Sequence, residues 1–167
     1  DYSKEWCETI MGQLSCYKKK APNYNQVIEL IQASFNLKFD FLYKLNIHSI
    51  KMVCDFLGVD FQYDIFSEMN LPVNEVNEPD EWALEITKAM QCDTYINPPG
   101  GMSFFNEEKY KNQGIKLEFL KIHIRPYVQR RGYFEEGLSI IDVMMFCSPS
   151  EISEFLDDYE LIKECDY

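Results

Sequence analysis

Positive charge is scarce in this chain of 167 residues, and the shortage limits what the chain can bind. Lysine and arginine number 16 against 28 aspartates and glutamates, which gives a formal net charge of −12. Nucleic acid and anionic lipid are both bound through a basic surface, so neither is an expected partner. Long apolar runs are missing too, since none approaches the roughly 18 residues that a membrane-spanning helix needs. Proteins that bind nucleic acid or anionic lipid, and membrane-spanning proteins, are therefore excluded.

Paired thiols are absent and histidines are few. The six cysteines, at positions 7, 16, 54, 92, 147 and 165, form no C-x-x-C pair, and several lie in apolar stretches. This pattern predicts small buried side chains in a reducing cytoplasm rather than disulfides. With His48 and His123 as the only histidines, we expect no metal site and no cofactor. There is no signal peptide, so the predicted location is cytoplasmic.

Helical and strand patterns alternate along the chain, with short joints between them. Apolar spacing and capping residues predict helices over residues 24–31, 45–57, 77–90, 106–112 and 138–146, and from 148 onward. Alternating residues predict strands over 59–63, 93–97 and 115–120. We therefore expect one layered α/β domain over residues 1–167, with a short, mostly parallel sheet and a helical C-terminus. Asn23 and Asn46 are the predicted N-caps of the first two helices.

A glycine-rich loop follows the second predicted strand. Asn97 ends the strand, and Gly100 and Gly101 come after two prolines. Ligands bind at the carboxyl ends of strands in open α/β sheets, and glycines let the backbone approach them closely. A plain turn that ends the strand explains the same residues. The loop is no G-x-G-x-x-G fingerprint and no Walker loop.

All three arginines of the chain fall within seven residues. Arg125, Arg130 and Arg131 lie in one segment with Tyr127 and Gln129. Guanidinium groups bind two oxygens at once, so this segment is a candidate phosphate or carboxylate site. Alternatively, the arginines balance the protein's own carboxylates, such as those of the acidic C-terminal helix.

The pair Ser139 and Asp142 opens a helix that is apolar almost all round. A buried aspartate needs partners, so Asp142 is a candidate site residue. The same spacing suits an N-cap serine with an acidic residue at the third helical position, and the residues alone favour this capping role. His48, near the start of the second predicted helix, is expected to be a partly buried hydrogen-bonding side chain.

Several of these segments, taken in order, resemble the WbqC-like protein family. The similar segments are YINPPGG (residues 95–101), GIKLEF (114–119), Y-V-Q (127–129), FEEGLSIID (134–142), KAPNY (20–24) and LGV (57–59). The similarity runs over residues 6 to about 156. Family members usually begin with a further strand and loop, so we expect this chain to be the C-terminal part of a longer domain. A sheet edge left open in this way would favour a homo-oligomer.

The resemblance implies a role in bacterial surface-polysaccharide (O-antigen) synthesis, as a glycine or aminoacyl transferase acting on an amino sugar. The substrate would be a nucleotide-sugar or an activated acyl donor. The expected general base is Asp142 or His123, with the amides of Gly100 and Gly101 as oxyanion donors. The expected substrate-binding residues are Asn97, Gly100, Gly101, Arg125, Tyr127, Gln129, Arg130 and Ser139. The alternative is a non-catalytic module that binds a nucleotide-sugar or a protein.

Overall fold

The fold is mixed α/β, as predicted. A computed structural model describes residues 4–163 of the chain. They group into two compact units: the chain up to Gln62 with Ile124–Asp157, and Tyr63–His123 with the segment from Asp158 onward. The assignment of residues 1–167 to one domain, the C-terminal part of a longer one, stays a prediction.

The first unit is helical. Its helices are α1 (Lys4–Leu14), α2 (Tyr24–Phe35), α3 (Leu42–Leu57), α7 (Ile140–Phe146) and α8 (Pro149–Leu156), with a 3₁₀ turn at Ser15–Tyr17. The core forms where the apolar stripes of α2, α7 and α8 meet. Val27, Met144, Met145 and Ile152 are at most 1% exposed there. Helix α7 is therefore buried, as its composition predicted.

Capping residues set several of these helix ends. Gly58 follows α3 with φ 71°, a conformation that glycine adopts without a Cβ penalty. Ser148 and Glu151 form a full capping box at the start of α8, as predicted. Asn23 does precede α2, but its side chain donates instead to the carbonyl oxygens of Met144 and Cys147, at 3.0 and 2.9 Å. It thereby ties the start of α2 to the end of α7.

The second unit is built around a three-stranded sheet. Its elements are α4 (Phe66–Met69), α5 (Glu81–Ala89), β1 (Thr94–Asn97), a 3₁₀ segment at Pro99–Phe104, α6 (Glu107–Asn112), β2 (Lys116–Ile122) and β3 (Tyr159–Ile162). In the order β1-β2-β3, β1 pairs with β2 in parallel and β3 pairs with β2 antiparallel. Tyr110 and Phe119 fill the core on one face of the sheet.

Four local predictions were wrong. Residues 59–63 form no strand, and the two units divide just there, between Gln62 and Tyr63. Asn46 lies inside α3, because this helix already begins at Leu42. The C-terminal part is helical through α7 and α8, as predicted, but the strand β3 that follows at Tyr159–Ile162 was missed.

The fourth error concerns the cysteines. Cys147 is buried, but Cys16, in the 3₁₀ turn after α1, and Cys92, in the connection between α5 and β1, are exposed. Cys165 lies outside the described residues. No helix within residues 4–163 is long and apolar enough to cross a membrane.

Candidate functional site

Asp142 is a buried carboxylate with three partners in the first unit. It lies in the first turn of α7, and the residue is 2% exposed. Oδ1 accepts a hydrogen bond from the Tyr127 hydroxyl at 2.7 Å, and Oδ2 accepts one from the Tyr17 hydroxyl at 2.5 Å. Nη2 of Arg131 lies 3.4 Å from Oδ2 and 3.3 Å from the Tyr17 oxygen. A buried carboxylate requires such partners, and here a cation is among them.

Both tyrosines at this carboxylate are held in their protonated form. Burial, with the hydrogen bond to Asp142 next in importance, raises the pKa of Tyr17 to about 12, and the Arg131 guanidinium opposes the rise. Burial and the same carboxylate also raise the pKa of Tyr127 well above its usual value. Near neutral pH both phenols are therefore hydrogen-bond donors to Asp142.

Gln129 fixes the loop that carries Arg131. The side chain is 2% exposed, and its amide nitrogen donates to the carbonyl oxygen of Glu135 while its amide oxygen accepts from the Glu135 backbone, both at 2.8 Å. This reciprocal pair closes a loop in which Arg130 and Gly132 have φ values of 51° and 86°. The predicted Y-x-Q element thus has a structural role, in which Tyr127 contacts Asp142 and Gln129 shapes the loop.

A pocket of about 400 Å³ opens beside these groups. Its lining consists of Cys16, Tyr17, Lys20, Gln129, Arg131, Tyr133 and Phe146, all in the first unit. Two of the lining side chains are cationic, and Tyr17 and Tyr133 are aromatic with a hydroxyl group. Asp142 contacts the pocket residues Tyr17 and Arg131. The pocket therefore presents guanidinium and ammonium groups to a ligand, a combination that suits phosphate or carboxylate oxygens.

Three other predicted site residues of the first unit lie outside the pocket lining. Ser139 caps α7, and its hydroxyl oxygen accepts from the Ile141 backbone at 3.3 Å. Arg125 and Arg130 are exposed, and the pocket lining includes neither of them. The segment thus places one arginine, Arg131, at the pocket, held by Asp142 rather than by the acidic helix α8.

The glycine-rich loop lies in the second unit and is occupied by its own contacts. The amide oxygen of Asn97 accepts from the Tyr95 hydroxyl at 3.1 Å, and its nitrogen donates to the Pro98 carbonyl oxygen at 3.0 Å. The backbone N–H of Gly101 donates to the same carbonyl oxygen at 3.2 Å. The N–H of Gly101 is thus engaged within the loop, and the oxyanion-donor role of Gly100 and Gly101 stays a prediction.

His123 also lies in the second unit, at the end of β2. Nδ1 is 2.9 Å from Oδ1 of Asp158, and Nε2 is 3.4 Å from Oε1 of Glu160. These hydrogen bonds raise the pKa of His123 above its usual value. Because both ring nitrogens face carboxylates, the structure gives this side chain an evident role in joining β2 to β3, and its predicted role as a base stays a prediction.

Sequence reasoning missed five residues of the pocket lining as site residues, namely Cys16, Tyr17, Lys20, Tyr133 and Phe146. Tyr17 and Lys20 come from the 3₁₀ turn after α1 and the loop that follows it. Lys20 ends a run of three lysines (residues 18–20), which is conspicuous in a chain with a net charge of −12. That run could have indicated an anion site. Nothing local to Tyr17 points to Asp142, which is 125 positions away.

The fold and this pocket define a mixed α/β protein with a candidate anion-binding pocket, in which Tyr17 and Arg131 contact the buried Asp142. A family model described as "WbqC-like protein family" matches residues 1–154. The chain belongs to the WbqC-like protein family, as its motifs predicted. No curated protein and no solved structure matches the chain.

Proposed function

We propose that this protein is a transferase that joins an acyl group, such as glycyl, to the amine of an amino sugar during the synthesis of a bacterial surface polysaccharide such as O-antigen. Membership of the WbqC-like family supports a role in polysaccharide synthesis. The observation that carries the proposal is the pocket lined by Lys20, Arg131 and Tyr17, in which Nη2 of Arg131 lies 3.3 Å from the Tyr17 hydroxyl oxygen. A nucleotide-sugar or an activated acyl donor carries the phosphate or carboxylate that these cations would bind.

The step is the formation of an amide. The sugar nitrogen forms a bond to the acyl carbon, the bond from that carbon to its leaving group breaks, and the leaving group departs with the electron pair. The nitrogen then loses a proton. We assign its acceptance to the Tyr17 oxygen, whose own proton passes to Oδ2 of Asp142 along the hydrogen bond between them. Of the two predicted bases, Asp142 is a stronger candidate than His123 for the final proton acceptor, because Asp142 contacts a pocket residue.

Ligand-dependent thermal melts test the binding half of this proposal. The panel contains a UDP-linked amino sugar, coenzyme A, ATP and inorganic phosphate. At about 100 times its dissociation constant, a ligand adds about 2.7 kcal/mol of stability. For a chain of this length the midpoint should rise by roughly 5–10 °C.

Two arginine variants make the melt specific. Arg131→Gln should abolish the shift, while Arg130→Gln, which removes the same charge from an exposed neighbour, should preserve it. The proposed anion site would be overturned if no ligand of the panel raised the midpoint. It would also be overturned if both variants lost the ligand-dependent shift to the same extent. Turnover is then tested by mass spectrometry of the amide product with the UDP-linked amino sugar and an aminoacyl donor. Tyr17→Phe should abolish the product while the shift remains.

The second candidate is a module that binds a nucleotide-sugar without converting it. The observation in its favour is the state of Asp142, whose two oxygens already accept hydrogen bonds inside the unit. Under this alternative, a nucleotide-sugar raises the midpoint and no amide product forms with any aminoacyl donor. Tyr17→Phe then has no activity to remove.

A further inference from the structure

The first unit contains a second, apolar cavity that is separate in its lining from the anion pocket. Its volume is about 200 Å³, and it lies among α1, α2, α3 and α7. Most of its lining is aliphatic, aromatic or thioether, and the polar exceptions are two serines. The lining residues are Ile10, Val27, Leu30, Ile31, Ser34, Phe35, Ser49, Met52, Val53, Ile141 and Met144. Ile10, Leu30 and Met52 are partly exposed, so the cavity can be reached from solvent.

Ser34 is the unusual member of this lining. The residue is 4% exposed, and its hydroxyl oxygen has no hydrogen-bond partner among the residues that the structure describes. Buried hydroxyl groups are nearly always paired, and leaving one unpaired costs free energy. Ser49 differs, because its hydroxyl already donates to the carbonyl oxygen of Leu45 at 2.8 Å. The cavity thus holds one polar group that a bound molecule could satisfy.

The volume and the lining together restrict the chemistry of such a molecule. A cavity of about 150 Å³ lined by Leu, Ile and Phe holds a benzene molecule. The present cavity of about 200 Å³ has room for a somewhat larger apolar body. No lining side chain is charged. A charged ligand would lose its hydration here without gaining a counter-ion, so the polar part of the ligand must be neutral.

We infer that this cavity is a binding site for a small apolar chain of about six to eight carbons that carries one uncharged hydrogen-bonding group, placed against the Ser34 hydroxyl. Apolar burial supplies the attraction, and the hydrogen bond to Ser34 fixes which end of the chain enters. The inference is independent of the proposed transferase activity.

Methyl NMR of the intact chain tests the site, with 1-hexanol as the probe and toluene as an apolar probe without a hydroxyl group. Saturating 1-hexanol should shift the methyl signals of Met52 and Met144, which line the cavity, and leave that of Met102, which lies in the second unit, unchanged. Met52→Trp should fill the space and abolish binding of both probes. Unshifted Met52 and Met144 signals at saturation would overturn the site.

Two matched serine variants test the polar anchor. Ser34→Ala should weaken 1-hexanol binding about five- to tenfold, the value of one hydrogen bond, and leave toluene binding unchanged. Ser49→Ala removes a hydroxyl group from the same lining that is already paired, and it should change neither affinity by more than about twofold. If both variants weaken 1-hexanol equally, or if Ser34→Ala has no effect, the assignment of Ser34 is wrong.

Discussion

Gln129 and Glu135 are joined by two reciprocal hydrogen bonds, in which the side-chain amide of Gln129 contacts both the N–H and the C=O of Glu135 at 2.8 Å. A side chain that satisfies both backbone groups of one residue holds the loop between them in a single shape. Because that loop carries Arg131 to the pocket, the geometry of the candidate site depends on a residue that is itself 2% exposed.

Gln129→Glu should therefore damage both stability and ligand binding. The substitution keeps an acceptor for the Glu135 N–H. It replaces the buried amide nitrogen, which donates to the Glu135 carbonyl oxygen, with a carboxylate oxygen that can only accept. We expect a loss of about 2–4 kcal/mol in the free energy of unfolding, measured by urea denaturation. Gln32→Glu, the same change on the exposed face of α2, should stay within about 0.5 kcal/mol. Equal effects of the two variants would contradict the role of Gln129.

Tyr127 and Asp142 should be energetically coupled. Their hydrogen bond of 2.7 Å joins a buried carboxylate to a phenol, and such bonds to charged groups are worth about 1.5–3 kcal/mol. Tyr127→Phe should cost about this much in the native protein and clearly less when Asp142 is already Asn. The double-mutant cycle should give a coupling of about 0.5–3 kcal/mol.

Tyr133→Phe is the control for this cycle. Tyr133 lines the same pocket but is 66% exposed, so loss of its hydroxyl group should leave stability within about 0.5 kcal/mol. The cycle between Tyr133→Phe and Asp142→Asn should be additive. Additivity between Tyr127 and Asp142 as well would show that the hydrogen bond carries no net stability.

Local signals predicted most of the fold. Gly58 ended α3 and the Ser148–Glu151 box began α8, because a left-handed backbone and a helix N-terminus each require particular residues within a few positions. Strand pairing is not local. Residues 59–63 alternate like a strand but have no strand partner, whereas residues 159–162 became β3, where Glu160 meets Lys121 across the pair.

The candidate site was also predictable only where its signals are local in the sequence. The Gly137–Asp142 segment indicated that Asp142 is a candidate site residue, and the arginine cluster indicated a candidate anion site. Both signals are contiguous in the sequence. The capping interpretation explained Ser139 but not the Asp142 carboxylate, whose partners come from Tyr17, Tyr127 and Arg131. Only the folded chain brings α7 and the 3₁₀ turn after α1 together.

Two adjacent glycines should respond in opposite ways to the same substitution. A Cβ at Gly101 would lie 2.5 Å from Nδ2 of Asn97 and 3.2 Å from a ring carbon of Phe105, whereas a Cβ at Gly100 would meet nothing within 4 Å. Gly101→Ala must therefore displace Asn97 from Tyr95 and Pro98, at a cost of about 1–3 kcal/mol. Gly100→Ala should be neutral or stabilising by about 0.4–1 kcal/mol.

Urea denaturation of both glycine variants, followed by the fluorescence of Trp82 in a Trp6→Phe background, measures this difference in the second unit. A tolerated Gly101→Ala would mean that the Asn97 side chain yields without loss. In that case, the close approach of this loop to Asn97 would not be the reason for glycine there.

His123 should make the second unit more stable on the acidic side of neutrality. Hydrogen bonds to the carboxylates of Asp158 and Glu160 raise its pKa, so the folded protein binds the proton more tightly than the unfolded chain does. The resulting stability is fully present below the unfolded pKa of about 6.5 and is lost as the pH rises through the higher folded value. The pKa of Glu160 is lowered by Lys121 and His123, so its own contribution is lost only as the pH falls through that lowered value.

The thermal midpoint of His123→Gln, compared with that of the native chain at pH 5.5 and pH 9, measures this effect. The difference should be larger at pH 5.5, where the imidazolium faces both carboxylates, and should shrink at pH 9. Lys121→Gln is the matched control, because it removes the other cation that pairs with Glu160 and leaves the imidazole in place. A difference for His123→Gln that is the same at both pH values, like that of Lys121→Gln, would mean that the histidine joins β2 to β3 without its charge.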